Sequence, residues 1–289
     1  MMILGFADYR QQGEALAREL GLAYAEVAIH RFPDGESKVT LPTELPEAVT
    51  LCRSLDHPND KLVEILLTAQ TARGMGVKQL TLVAPYLCYM RQDIAFHPGE
   101  AVSQQIIGQV LASLFDKVVT VDPHLHRITH LSEAIPNISA ISLQSAPLMG
   151  SFIAANLKSP LLIGPDAESA QWVRAIAEPA GLDYAIATKE RLGDREVTIK
   201  LPPHDYHHHE VVLVDDMIST GHTLINVAEQ LQQQGVQALY CLVTHALFAD
   251  SVTEALHSAG ITTIWSCDSI THSSNVIALS PLLATALRE

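Results

Sequence analysis

An α/β fold made of two similar halves, each a mainly parallel sheet flanked by helices, is what these 289 residues predict. Three observations lead there. Short apolar runs alternate with amphipathic stretches, the alternation starts again after residue 145, and several runs stop at residues able to do chemistry. In the first half "AYAEVAI" is a strand-length run, and "KLVEILLTAQTARGMG" repeats its apolar residues three and four apart as a helix does. "QLTLVAPYL" is a second strand, "AVSQQIIGQVLASLF" a second helix, and "KVVTVDPH" a third strand. The second half repeats the scheme with "SPLLIGPDAES", the amphipathic "AQWVRAIAEPAG", "DYAIATK", "HEVVLVDDMISTG", the helix "HTLINVAEQLQQQG" and "ALYCLVTHALF". Strand, helix, strand implies parallel pairing with right-handed crossovers. The joint falls near "SLQSAPLMGS", where Ser, Gln, Pro and Gly loosen the pattern, giving domains 1–145 and 146–289. The final helix is expected to pack back on the first domain.

The formal net charge of −14 argues against nucleic acid or an anionic membrane as partner, since both are engaged through basic surface. A phosphate ligand would need a local device such as a divalent cation. With 48% hydrophobic and 17% charged residues the chain is expected to pack rather than stay disordered. Cys52, Cys88, Cys241 and Cys267 form no CxxC pair, which fits reduced thiols better than disulfides or a zinc site. The start, "MMILGFADYRQQGEAL", has no basic region before a long apolar run, and no apolar segment reaches about 18 residues, so a cytoplasmic protein is expected.

Ligands of open α/β sheets gather beyond the carboxyl ends of the strands, so the residues that end each run carry the functional reading. In "VVLVDDMISTGHT", residues 211–223, a buried run ends in Asp215 and Asp216, which repel one another unless something cationic or hydroxylated lies between them. Ser219, Thr220, Gly221 and Thr223 stand where the loop turns into "LINVAEQL". Backbone N–H groups and hydroxyls can surround a phosphate at that helix's positive end. The acids are then left for two sugar hydroxyls, although an N-capped turn with solvated acids fits the same residues. In "RFPDGE" Phe32 offers a ring face to a base, with Asp34 and Glu36 as acceptors; an ordinary turn about Gly35 is the plainer alternative.

"PYLCYMRQD" supplies Arg91 and Gln92, a cation and an amide for a nucleotide. In "DPHLH" a neutral His124 could hold a divalent ion or a phosphate. His126 completes an HxH pair, but no partnering Cys or HExxH favours zinc. "GPDAES" adds Asp166, an oxygen donor of the kind Mg²⁺ takes. "KERLGDREV" sets Lys189 and Arg191 two apart, on one side if the segment stays extended, with Gly193 to let the loop move. Beside Glu190 and Asp194 the same residues read as a solvated charged loop. The histidines 207–209 of "PPHDYHHHE" read as a solvated loop before a strand.

Taken together and in order, these segments resemble the ribose-phosphate pyrophosphokinase (phosphoribosyl pyrophosphate synthetase) family; the 211–223 loop by itself also resembles type I phosphoribosyltransferases. The resemblance implies two type I phosphoribosyltransferase-like domains, ATP on the first and ribose 5-phosphate on the second. It implies that Phe32, Asp34, Glu36, Arg91 and Gln92 bind ATP and that Asp215, Asp216, Ser219, Thr220, Gly221, His222 and Thr223 bind ribose 5-phosphate. Mg²⁺ is the implied cofactor, with His124 and Asp166 as ligands, and Lys189, Arg191 and His124 are the implied catalytic residues. The expected reaction moves the β,γ-diphosphoryl group of ATP to the 1-hydroxyl of ribose 5-phosphate, for nucleotide biosynthesis. The family also implies a homodimer or larger homo-oligomer with the adenine turn completing a neighbour's site. This chain departs from the bacterial pattern at Ser219, where many members have Asp, at His222, where a small residue is usual, and in "GPDAES", which lacks a glycine pair after its Asp. The rivals are a phosphoribosyltransferase, which would leave "RFPDGE", "YMRQD" and "DPHLH" without a role, and a non-catalytic regulatory homologue, against which Lys189 and Arg191 count.

Overall fold

The computed structural model describes residues 1–191, 197–207 and 209–288; for 189–191 and 197–198 it describes the backbone alone. The chain divides into two units, the first being Met1–Gln144 with Ser269–Thr271 and Ala278–Glu289, the second Ser145–Asp268 with His272–Ile277. The first runs β1 (Met2–Gly5), α1 (Arg10–Leu20), β2 (Ala23–Glu26), β3 (Ala28–Arg31), β4 (Ser37–Thr40), β5 (Ala48–Cys52), α2 (Pro58–Gly74), β6 (Gln79–Val83), α3 (Ser103–Leu114), β7 (Lys117–Val121), α4 (Leu131–Ala134) and β8 (Ser139–Leu143). Six of its strands pair in the order β2-β1-β5-β6-β7-β8, every pairing parallel. The central strands are apolar on both faces because helices cover both. Consecutive residues of β5 (Val49, Thr50, Leu51, Cys52) and of β7 (Val118, Val119, Thr120, Val121) are all buried, so both faces of these strands are covered.

The second unit runs α5 (Ala146–Asn156), β9 (Leu161–Gly164), α6 (Ala170–Ala180), β10 (Tyr184–Ile186), β11 (Thr188–Arg191), β12 (Val197–Lys200), β13 (Glu210–Ile218), α7 (His222–Gln233), β14 (Ala238–Ala246), α8 (Asp250–Ser258), β15 (Thr263–Cys267) and β16 (Asn275–Ile277). Its sheet order is β10-β9-β13-β14-β15-β16, again parallel throughout. The last helix, α9 (Ser280–Arg288), lies in the first unit, where it packs on α1 and Ala286 O accepts from Lys117 Nζ at 2.7 Å. Two sheets of the same order, each with helices on its faces, make the fold α/β with two phosphoribosyltransferase-like units.

Two stretches differ from the sequence expectation. "AYAEVAI" and "DYAIATK" are each two strands rather than one. At Val27 and at Ala187 the buried chain makes a last hydrogen bond, to Gly5 O and to Gly164 O, both 2.8 Å. It then leaves the sheet to form the antiparallel hairpins β3/β4 and β11/β12, which pair only with themselves. The "SLQSAPLMGS" stretch is not loose either: α5 begins within it, with Pro147 in its first turn where a missing N–H breaks no helical bond. All four cysteines are buried and none forms a disulfide, and burial pushes the Cys88 thiol up to about 12. No helix among the described residues is long and apolar enough to cross a membrane.

Candidate active site

In the second unit β13 carries Asp215 and Asp216 at its carboxyl end. Asp216 is buried and Asp215 half-buried, and Asp215 Oδ1 accepts from the Asp216 N–H at 2.9 Å. The Asp215 carboxyl is held well above the usual carboxylate range, first by removal from water, then by repulsion from Asp216 and from Asp166. The chain next turns through exposed Ser219 and Thr220 to Gly221, whose φ of 72° lies in the left-handed region that glycine adopts without strain. A Cβ there would also sit 2.9 Å from Val252 Cγ1. Gly221 opens α7, and no side chain caps that helix, so the N–H groups of its first turn are left for a ligand. Residues 217–224 and Asp215 line a cavity of about 120 Å³. His222 is exposed at the rim of this cavity.

Asp166, after β9, is partly committed to its own turn. Its Oδ1 accepts from the N–H groups of Glu168 (3.1 Å) and Ser169 (3.2 Å), while Ser169 Oγ donates to Asp166 O at 2.6 Å. Asp166 and Asp216 lie close enough to Asp215 for their charges to disfavour its ionised form. Among the described residues no group of three or more His, Cys, Asp and Glu is placed to hold a metal ion. Lys189 and Arg191 lie on β11, whose backbone is extended and paired with β12, and their side chains lie outside the described residues. Gly193 and Asp194 are outside them altogether, as is His208; His207 and His209 are exposed.

In the first unit residues 31–36 close a tight turn. Phe32 N–H donates to Glu36 O (2.8 Å), Gly35 N–H to Phe32 O (2.9 Å), and Glu36 N–H to Asp34 Oδ1 (3.2 Å). Phe32, Asp34 and Glu36 are exposed, and the Phe32 ring meets His30 edge-on at 4.9 Å. Asp34 and Glu36 line a cleft of about 520 Å³ with Gly35, Ser37, Asp60, Val63 and Leu67, a size that accommodates a small ligand. Arg91 is exposed, whereas Gln92 Nε2 donates to Ile94 O at 2.9 Å within its own loop. Asp93 beside them is buried and pairs with Arg127 at 2.6 Å, tying the 91–93 segment to the segment after β7. Asp122 there has φ 39°, a conformation uncommon for aspartate. His124 and His126 stand in edge-to-face contact at 4.1 Å.

Sequence reasoning missed the end of β5. Arg53, 5% exposed, faces Glu64 of α2, which is 0% exposed: Arg53 Nη1 is 2.7 Å from Glu64 Oε2. Neither atom has a well-angled hydrogen bond, so charge rather than direction holds this pair. Arg53 Nε also donates to both Asp8 oxygens (3.2 and 3.1 Å) and its guanidinium lies 4.2 Å over the Phe6 ring. Lys61 reaches Asp56 (2.7 Å), Asp8 (3.1 Å) and Ser54 O (3.0 Å). The signal was available: "AVTLCRSLD" is one more apolar run stopping at a charge.

A family model described as the N-terminal domain of ribose phosphate pyrophosphokinase matches residues 1–114, and one described as a phosphoribosyl transferase domain matches residues 132–282. The ribose-phosphate pyrophosphokinase of Methanopyrus kandleri is 33% identical over 99% of this chain and 98% of its own length. The chain belongs to the ribose-phosphate pyrophosphokinase family. The enzyme of that name from Methanosarcina acetivorans is 30% identical over 100% of this chain and 99% of its own. The crystal structure of phosphoribosylpyrophosphate synthetase from Mycobacterium smegmatis has the same fold, with a TM-score of 0.85, 20% identity, and 99% and 97% of the two chains covered. The reaction of ribose-phosphate pyrophosphokinases gives 5-phosphoribosyl 1-diphosphate and AMP from ribose 5-phosphate and ATP. Members of the family are transferases of nucleotide biosynthesis.

Proposed function

We propose that this chain carries out that transfer with the residues singled out above. The observation that supports the reading most strongly is the end of β13: paired carboxylates, exposed hydroxyls, and an uncapped helix N-terminus around a small cavity. Asp215 and Asp216 take the ribose hydroxyls. Ser219, Thr220, Thr223 and the N–H groups of Gly221 and His222 hold the 5-phosphate, where the positive end of α7 favours a dianion. On the other unit Phe32 stacks on adenine, Asp34 and Glu36 accept from its amine, and Arg91 and Gln92 hold the nucleotide. Lys189 and Arg191 stabilise charge developing around the β-phosphorus.

Mg²⁺ is the cofactor in this reading, and His124 and Asp166 are the side chains offered to it; when bound it neutralises phosphate oxygens and aligns them for in-line displacement. The chain's own contribution is then mainly positioning and electrostatics. The working form is a homo-oligomer in which the 31–36 turn completes a neighbouring chain's site.

Phosphorus NMR of the purified protein with ATP, ribose 5-phosphate and Mg²⁺ tests the reading. AMP together with a new sugar-linked diphosphate signal supports it. ADP would mean transfer of a single phosphoryl group and would sink it, and ATP binding without turnover would favour a regulatory homologue.

A further inference from the structure

Glu64 has a fully buried carboxylate with three partners, and the reaction as described gives it no role. One oxygen, Oε1, accepts from Arg31 Nη2 at 3.2 Å and from Ser37 Oγ at 3.0 Å. Arg31 and Ser37 are the last residue of β3 and the first of β4, paired directly across the hairpin. A single carboxylate oxygen therefore grips both rails of the hairpin at the last rung before the turn. The other oxygen faces Arg53, which Asp8 and Phe6 fix at the ends of β5 and β1. Arg31 Nη1 also pairs with Asp60, one turn earlier on α2.

The hairpin makes no ladder with the parallel sheet; Ile29 and Val39 rest against the core, and the 31/37 rung near its tip is held to α2 through Glu64 and Asp60. The hairpin forms a sheet of its own, and the turn residues Phe32, Asp34 and Glu36 lie exposed beyond that rung, where the Phe32 ring meets His30 of the same hairpin. A small rotation at the 31/37 rung would swing the turn as a lever. We propose that Glu64 is a positioning residue for the nucleotide: through Arg31 and Ser37 it fixes the orientation of the 31–36 turn relative to the parallel sheet of its own unit. The proposal rests on the reading of that turn as the adenine contact.

Its test is steady-state kinetics of the full chain for Glu64→Gln, Ser37→Ala and Phe32→Ala, with thermal unfolding measured beside them. Glutamine keeps the size of Glu64 but loses the charge that faces Arg53 and one of its two acceptors. Glu64→Gln is expected to raise KM for ATP about tenfold, the worth of roughly one charged hydrogen bond. KM for ribose 5-phosphate should stay within about twofold, and kcat should fall less than KM for ATP rises. Ser37→Ala, half-buried and removing one hydroxyl, should raise KM for ATP about threefold with little change in melting temperature. A proportional fall of activity toward both substrates, tracking lost folded protein, would reduce Glu64 to a structural residue and overturn the proposal. So would an unchanged KM for ATP in Glu64→Gln and Ser37→Ala when Phe32→Ala raises it. If Phe32→Ala itself leaves KM for ATP unchanged, the adenine reading is what has failed, and the role of Glu64 falls with it.

Discussion

The third strand of each sheet ends in opposite chemistry. β5 runs into Arg53, and the cations there, Arg53 and Lys61, are met by carboxylates of the same unit, Asp8, Asp56 and Glu64. β13 runs into Asp215 and Asp216, where carboxylate repels carboxylate beside exposed hydroxyls and an uncapped helix. The strand order is the same in both units, so topology does not decide which end is a ligand site. Charge balance differs: at β5 the cations meet carboxylates of their own unit, whereas at β13 Asp215 and Asp216 repel one another, a repulsion that the cation of the proposed function would offset.

The largest effect that would sharpen this contrast is expected at the hairpin of the second unit. Lys189→Ala should lower kcat on the order of 10³-fold, as loss of a phosphoryl-stabilising cation does elsewhere, with ribose 5-phosphate affinity nearly unchanged by calorimetry. Unchanged turnover would remove Lys189 from the mechanism. Next comes Arg53→Leu, which strands the buried Glu64 without its main countercharge. It should cost about 3–5 kcal/mol of stability in denaturant titration, and a loss below about 1 kcal/mol would mean the β5 end is not the closed network described.

Asp215→Asn should act in the other direction. The folded-state pKa of Asp215 is raised, so its contribution to stability is fully present below the unfolded value and is lost as pH rises through the folded one. At neutral pH the neutral amide should therefore raise the melting temperature of the ligand-free protein by a few degrees, while kcat/KM for ribose 5-phosphate falls roughly tenfold or more. A lowered melting temperature would break the contrast between the two strand ends. Smallest is His222→Ala: with the side chain in solvent, both kinetic constants should stay within about twofold, and a larger change would assign the imidazole a part in phosphate binding.

Much of the fold was legible because buried parallel strands and amphipathic helices announce themselves locally, as "VVLV" and "HTLINVAEQL" do. The breaks at Val27 and Ala187 were not, since an apolar residue making its last sheet hydrogen bond looks like any other residue in a run. The candidate ribose phosphate site was legible for a similar reason: its residues are contiguous in 215–223. The Arg53–Glu64–Arg31 chain was not, because it joins three elements through pairs 11 and 33 residues apart that no periodicity marks. Lys189 and Arg191 were legible only as a pattern, and their side chains lie outside the described residues.

The strands of each hairpin pair only with one another, and each hairpin leaves its sheet at a single buried residue. Mutations at the exposed 32–36 tip therefore disturb no ladder of the parallel sheet. Selection can explore tip sequence and length while the root and the sheet stay fixed. If the 32–36 tip faces the base as proposed, the part of the molecule that reads the nucleotide is also the easiest to vary, and nucleotide preference can drift among relatives that keep the same two sheets.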